Sequence, residues 1–283
     1  MLAIITDSTC DLTAEELAAL KVRRVPLYVN FQGKVHRDWI DIDPAAIVDG
    51  VQGGADLPKT SQPSPEDFAA AYRDAIAEGA TEILVVVISA ALSGTQNSAS
   101  LAAGGAGVPI TIVDSENASA GLAALVRQAV RMRDAGASRS AIASTLEGMR
   151  AHMMVLFSVG TLDFLAKGGR IGRAQALLGG LLNVRPILTL EGGKIAPAAR
   201  ARGTKKAMEE VIARIGAHAR AHPGELVLDF LHIRDVAAAQ ALRDATRAAG
   251  IAFTEGGIYE IGAVIAAHVG PGTFGVYAPV KPA

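Results

Sequence analysis

The 283-residue chain holds one cysteine and one tryptophan, and aromatic residues make up only 4% of it. With Cys10 alone, an internal disulfide and a cysteine-based zinc cluster are excluded. Cys10 reads as a small buried apolar residue. Net charge is also lacking. The 27 Lys and Arg residues nearly cancel the 28 Asp and Glu residues, leaving a formal charge of −1. No general attraction to nucleic acid follows from that balance. The apolar runs are too short for a membrane-spanning helix. The opening Met1-Leu2-Ala3-Ile4-Ile5-Thr6-Asp7 lacks a basic region and a long apolar stretch, so no signal peptide is expected. A cytoplasmic protein is the expectation. No P-loop and no metal-ligand cluster is spaced along the chain, so neither ATP nor a metal is expected as a cofactor.

What the chain does have is apolar bulk. Half of its residues are hydrophobic and 19% are charged, the balance of a chain with substantial cores. Its length suits one large or two ordinary α/β domains. In the first half, strand patterns at 3–6, 25–31, 82–89 and 110–115 alternate with helix patterns. These helices are expected from the capping box at Thr13 to Glu16 through Leu20, and at 44–53, 65–79, 94–103, 119–135 and 138–151. Ser64 as N-cap and Pro65 at the first helical position mark the start of the third helix. This alternation predicts a doubly wound parallel sheet.

The second half reads differently. A strand at 154–158 precedes helices at 161–168 and 173–182. A hairpin follows, from 185–190 through Glu191-Gly192-Gly193 to 194–198. Next come a helix at 203–221, a strand at 225–233, a helix at 235–249, and strands at 251–256, 261–267 and 273–279. Hairpins mixed with crossovers predict a mixed sheet. The expected fold is therefore α/β with two domains, residues 1–150 and 151–283. No repeat or low-complexity stretch interrupts it.

Several segments carry candidate chemistry. Ser93, Gly94 and Thr95 follow the apolar run 83–88 and open a small-residue helix, so backbone N–H groups and two hydroxyls meet at a helix N-terminus suited to an anion. Thr60 and Ser61 lie in a hydroxyl- and proline-rich loop, and Ser64 alone suffices to cap the helix that follows. Gly270-Pro271-Gly272-Thr273-Phe274-Gly275 fits G-x-G-x-x-G, but only eight residues follow it. That is too few for a dinucleotide fold, and a tight turn is the better reading. His268 stands directly before it, at the end of the expected strand 261–267. A Ser93–His268 nucleophile pair is the alternative to anion holding, with Asp7 or Asp114 as weak candidates to orient the imidazole. The elbow G-x-S-x-G is absent, since Ala91 stands at its first glycine. Arg170 and Arg173 flank a glycine-rich junction. Arg200, Arg202, Lys205 and Lys206 gather where a helix begins, either as a solvated basic face or against an acidic partner.

Together these segments resemble the DegV family, bacterial fatty-acid-binding proteins also called FakB, from Ile5 to about Tyr277. The resemblance rests on Asp7-Ser8-Thr9-Cys10-Asp11-Leu12, Thr60-Ser61-Gln62-Pro63-Ser64-Pro65, Leu92-Ser93-Gly94-Thr95, Val113-Asp114-Ser115, Gly168-Gly169-Arg170-Ile171, Leu182-Asn183-Val184-Arg185-Pro186-Ile187-Leu188 and His268-Val269-Gly270-Pro271-Gly272. Cys10 stands where the family commonly has Ala, and Ala90-Ala91 where a Ser often precedes the Leu-Ser-Gly-Thr run. The resemblance implies a non-catalytic carrier. One long-chain fatty acid would lie in an apolar tunnel between the domains, its carboxylate at Thr60, Ser61, Ser93, Gly94, Thr95 and, directly or through water, His268. It also implies a separate fatty-acid kinase, FakA, as partner, with Arg170 used at phosphoryl transfer and transient contact with a membrane surface. Arg202 is added as a docking candidate.

Overall fold

The computed structural model describes residues 1–150, 152–178, 184–222 and 224–279. Four parallel strands form the first sheet: β1 (Leu2–Asp7), β2 (Val22–Val25), β6 (Glu82–Val87) and β7 (Ile110–Asp114), in the order β2-β1-β6-β7. Alternation along β6 explains its two covered faces. Leu84 and Val86 pack with residues of α5 (Ala120–Asp134) and α6 (Arg139–Arg150). Ile83, Val85 and Val87 pack with α3 (Pro65–Ala77) and Ala99 of α4 (Thr95–Ala103). This is the doubly wound arrangement expected. Both capping boxes form: Thr13 with Glu16 opens α1 (Ala14–Leu20), and Ser64 with Asp67 opens α3.

The second sheet has six strands in the order β10-β9-β8-β13-β11-β12. They are β8 (Met154–Ser158), β9 (Val184–Glu191), β10 (Lys194–Arg202), β11 (Val227–His232), β12 (Thr254–Glu260) and β13 (Phe274–Ala278). Strands β11 and β12 run parallel and the other described neighbours antiparallel, so the sheet is mixed. One face packs on α8 (Gly203–Ala221) and α9 (Val236–Ala248) through Leu156, Phe230 and Val276. The opposite face carries Val155, Phe157, Leu231 and Tyr277. It joins a core shared with Leu27, Val29 and Phe31 from the first half of the chain. Among the described residues, no helix is long and apolar enough to cross a membrane.

Several expectations need correction. Residues 25–31 do not form one strand, because Pro26 and Leu27 separate β2 from β3 (Tyr28–Phe31). Strand β3 is the centre of a third, antiparallel sheet with β4 (Lys34–Arg37) and β5 (Lys59–Ser61). Thr60 and Ser61 therefore lie on an edge strand and not in a loop. Residues 172–177 form a 3-10 helix and Leu178 is already extended, so the helix expected at 173–182 is shorter and tighter there; 179–182 lie outside the described residues. Leu182 and Asn183 of the quoted motif, and residue 151 at the expected domain boundary, also lie outside them. Strand β12 begins later than the expected 251–256. The expected strand 261–267 is helical: Ala263–Val269 is α10, and His268 sits in its last turn. Helix α10 packs against α2 (Pro44–Gln52), α7 (Asp163–Lys167), β3 and β5.

Candidate functional site

A cavity of about 340 Å³ lies between the mixed sheet and the ends of the parallel strands, at the lower end of the size range of small-molecule pockets. Of its 22 lining residues, 14 are apolar, so its walls favour hydrocarbon over water. Leu27, Ile88 and Leu92 come from the first half of the chain. Phe157, Leu231 and Val264 come from the second. Polar groups from both halves also line it, including Thr60, Ser61, Gln62, Ser93, Arg170 and His268.

The loop after β6 is fixed by carboxylates at neighbouring strand ends. Asp7 Oδ2 accepts the Ile88 N–H at 2.6 Å, and Asp114 Oδ1 accepts the Ala90 N–H at 3.1 Å. The loop then closes on itself, with the Ser93 N–H donating to the Ser89 carbonyl at 3.1 Å. Ser93 Oγ meets Thr95 Oγ1 at 2.8 Å. Gly94 caps α4 without a side chain. A Cβ there would fall 2.0 Å from Gln62 Oε1, so the Gln62 amide lies across this backbone while donating to Ser98 Oγ at 3.0 Å.

On the opposite side, His268 Nε2 lies 2.7 Å from Thr60 Oγ1. His268 Nδ1 is buried and has no partner among the described residues, facing the backbone of Gly168, where a Cβ would come within 2.4 Å. Burial, assisted by the Arg170 charge, pushes the imidazole down to about 4, so His268 is neutral at physiological pH. Arg170 is held by two carbonyls: Nε donates to Leu92 O at 3.1 Å and Nη1 to Gly168 O at 2.7 Å.

Thr60, Ser61, Ser93, Arg170 and His268 thus share one cavity. Gly94 and Thr95 lie behind it, and Thr95 is fully buried. Arg202 is elsewhere, in a surface depression with Arg200, Lys206 and Glu209. Ser93 and His268 bond to different threonines, and Asp7 and Asp114 hold loop backbone, so neither orients the imidazole. A nucleophile–base–acid line is not assembled. Gln62 and Ser119 also line the cavity. Neither is marked by a local sequence pattern, although Gln62 sits inside Thr60-Ser61-Gln62-Pro63-Ser64-Pro65. Ser119 is held at φ 52°, a backbone state with no local sequence signal. Among the described residues, no group of three or more His, Cys, Asp or Glu side chains is arranged to hold a metal ion.

The chain matches the profile of the DegV family, described as uncharacterised protein, over residues 1–280. A DegV domain-containing protein of Deinococcus radiodurans is 42% identical over 275 residues, covering 97% of each chain. A DegV family protein of Thermus thermophilus, described for its fatty-acid binding, is 46% identical with a TM-score of 0.93 and 99% of both chains covered. A stearic-acid-binding protein of Eubacterium ventriosum is 28% identical with a TM-score of 0.91, again over 99% of both chains. With a profile match over almost its whole length and relatives above 40% identity, the chain belongs to the DegV family.

Proposed function

We propose that this chain binds one long-chain fatty acid and presents its carboxylate to a separate FakA-like kinase, which phosphorylates it to an acyl phosphate for phospholipid synthesis. The observation that carries this reading is the apolar cavity with neutral polar groups and one arginine gathered on its wall. The fatty-acid-binding relatives that share the fold support it. The acid would lie between the 1–150 and 151–283 domains, its chain along Val155, Leu231 and Val264.

The head-group chemistry follows from the donors. A carboxylate only accepts, so Thr60 must turn its hydroxyl proton toward the ligand. His268 then takes the tautomer with hydrogen on Nε2 and donates to Thr60 Oγ1. Ser93 supplies a second hydroxyl and Ser61 lines the same wall, while Gly94 and the buried Thr95 back Ser93 from behind the cavity. Neutral donors hold the carboxylate without pairing it to a cation, so an oxygen stays nucleophilic toward a phosphoryl group. Arg170 uses two of its five N–H donors on carbonyls, and the others remain to stabilise charge that develops during transfer. Arg202 would contribute to kinase docking from outside the cavity.

Mass spectrometry of the organic extract of the purified native protein tests the carrier reading. A stoichiometric fatty acid is expected. An empty protein that hydrolyses short acyl esters, with Ser93 acylated, would overturn it. For the transfer step, Arg170→Ala is expected to keep fatty-acid binding and lose kinase-dependent phosphorylation. Normal phosphorylation by that variant would refute the role of Arg170.

A further inference from the structure

The segment Asp7 to Asp11 and the buried Asp38 take no part in the proposed binding chemistry, yet both reach the elements that carry it. Helix α10 begins without a cap of its own, because its N-cap is Gly262. The missing acceptor comes from 226 residues away: Asp38 Oδ1 accepts the Val264 N–H at 3.3 Å. Val264 is the second residue of α10, the position an N-cap side chain ordinarily serves. Val264 and His268 are one helical turn apart, share a face and both line the cavity.

Three further observations converge on this junction. Trp39, next to Asp38, is held at φ 61°, an unfavourable backbone state for a bulky residue. Its indole Nε1 donates to Asp11 Oδ1 at 3.2 Å. Gly262 passes directly over that pair, so that a Cβ would fall 2.3 Å from Trp39 Nε1 and 2.5 Å from Asp11 Oδ1. Meanwhile Asp38 is fully buried and its Oδ2 has no partner among the described residues. A buried carboxylate with an unmet oxygen lowers stability, and an apolar residue of similar size would serve the core better. Retaining it beside a strained neighbour fits a placement role better than a stabilising one.

We propose that Asp38 is a positioning residue: it caps α10 from a distant loop and so sets the turn that brings His268 Nε2 onto Thr60 Oγ1. The inference rests on the fatty-acid reading only for what His268 does, not for how it is held.

The test uses the full chain stripped of lipid, in three variants. Asp38→Leu fills the space and removes the acceptor. Asp38→Asn keeps an acceptor. Gly262→Ala pushes the start of α10 off Trp39 and Asp11 and leaves Asp38 intact, which covers the case in which Asp38→Leu does not fold. His268 titration is followed by imidazole NMR, with His268→Gln assigning the signal, and palmitate affinity by calorimetry. Thr60, Arg170 and Gly168 face the imidazole, so its midpoint reports their fit. In Asp38→Leu and Gly262→Ala the midpoint is expected to rise from about 4 toward the ordinary 6.5, and palmitate to bind about tenfold more weakly, the scale of one misplaced hydrogen bond. Asp38→Asn is expected to match the native protein in both. An unchanged midpoint in Asp38→Leu and Gly262→Ala, or an Asp38→Asn as impaired as Asp38→Leu, would overturn the proposal. If no form binds palmitate but the midpoint shifts as stated, the positioning role stands and the carrier reading falls.

Discussion

The Thr60–His268 contact yields the most direct test of the site. Replacing Thr60 by Val keeps its shape and removes the one partner that His268 Nε2 has among the described residues. Nδ1 already lacks one, so Thr60→Val leaves a half-buried imidazole with both nitrogens unmet. Leaving a polar group unmet costs about 1–3 kcal/mol, and the lower half of that range applies to a half-buried ring, roughly 1–2 kcal/mol. At about 2.1 cal/mol/K per residue, the unfolding entropy of this chain is roughly 0.6 kcal/mol/K, so the melting temperature should fall by about 2–3 °C. His268→Leu behaves differently. It removes the unmet Nδ1 together with Nε2 and leaves only the Thr60 hydroxyl, which is itself half-buried. In the double variant no polar atom of the pair remains, and replacing both partners with apolar groups is close to neutral. The double variant should therefore be less destabilised than the sum of the singles, by about 1–2 kcal/mol. Thermal melts of lipid-free protein measure all four corners of this cycle; bound lipid would add its own stabilisation. Strict additivity would show that the contact is not formed, and the head-group scheme built on it would fail.

Two further outcomes follow from the same geometry. Burial pushes Asp38 up to about 7 and Asp11 to about 8, so between pH 6.5 and 8 the folded chain holds more protons than the unfolded one. Stability should fall as pH rises through that window, and Asp38→Asn should flatten the slope in denaturant titrations. His268 acts in the other direction and lower, because a depressed imidazole loses stability only as pH falls from 6.5 through about 4. Gly94→Ala meets no backbone strain at φ −77°, but its Cβ must displace Gln62 from Ser98. A loss of about 1 kcal/mol in chemical denaturation is expected, comparable to one hydrogen bond.

Three strands of the parallel sheet, β1, β6 and β7, were legible because they are largely apolar runs separated by helices, two of them well capped at Thr13 and Ser64; β2, Val-Arg-Arg-Val, was not, and the strand expected at 25–31 belongs mostly to β3 of another sheet. The mixed sheet was legible in kind from the Glu191-Gly192-Gly193 turn. What failed had tertiary causes. Residues 261–267, Ile-Gly-Ala-Val-Ile-Ala-Ala, are apolar throughout, and a short apolar run does not separate strand from helix. The cap that makes α10 a helix belongs to Asp38, which no local pattern around 262 reveals. Strands β4 and β5 are short and polar, Lys-Val-His-Arg and Lys-Thr-Ser, and exist because β3 pairs with both. Ser93 stands out as a candidate because a hydroxyl breaks the apolar run before it, whereas Thr60, in a polar loop, becomes a ligand position only through the family resemblance. The apolar walls of the site were not legible, because Phe157, Leu231 and Val264 look like ordinary core until the sheet brings them round one space.

Under the proposed function, those walls rather than the polar groups set affinity. Burying a methylene contributes about 0.8 kcal/mol, so ten of them reach roughly 8 kcal/mol, from which the cost of association is subtracted. A head group held by neutral hydroxyls then needs to add orientation more than energy, which agrees with an arginine already engaged by the Leu92 and Gly168 carbonyls. The consequence is measurable in a homologous series of saturated acids. Each added methylene should tighten binding about fourfold until the cavity is full, and the next should stop or reverse the trend. The break locates the closed end of the cavity. A series that is flat with chain length, yet sensitive to Thr60→Val, would place the binding energy at the head group and refute this division of labour.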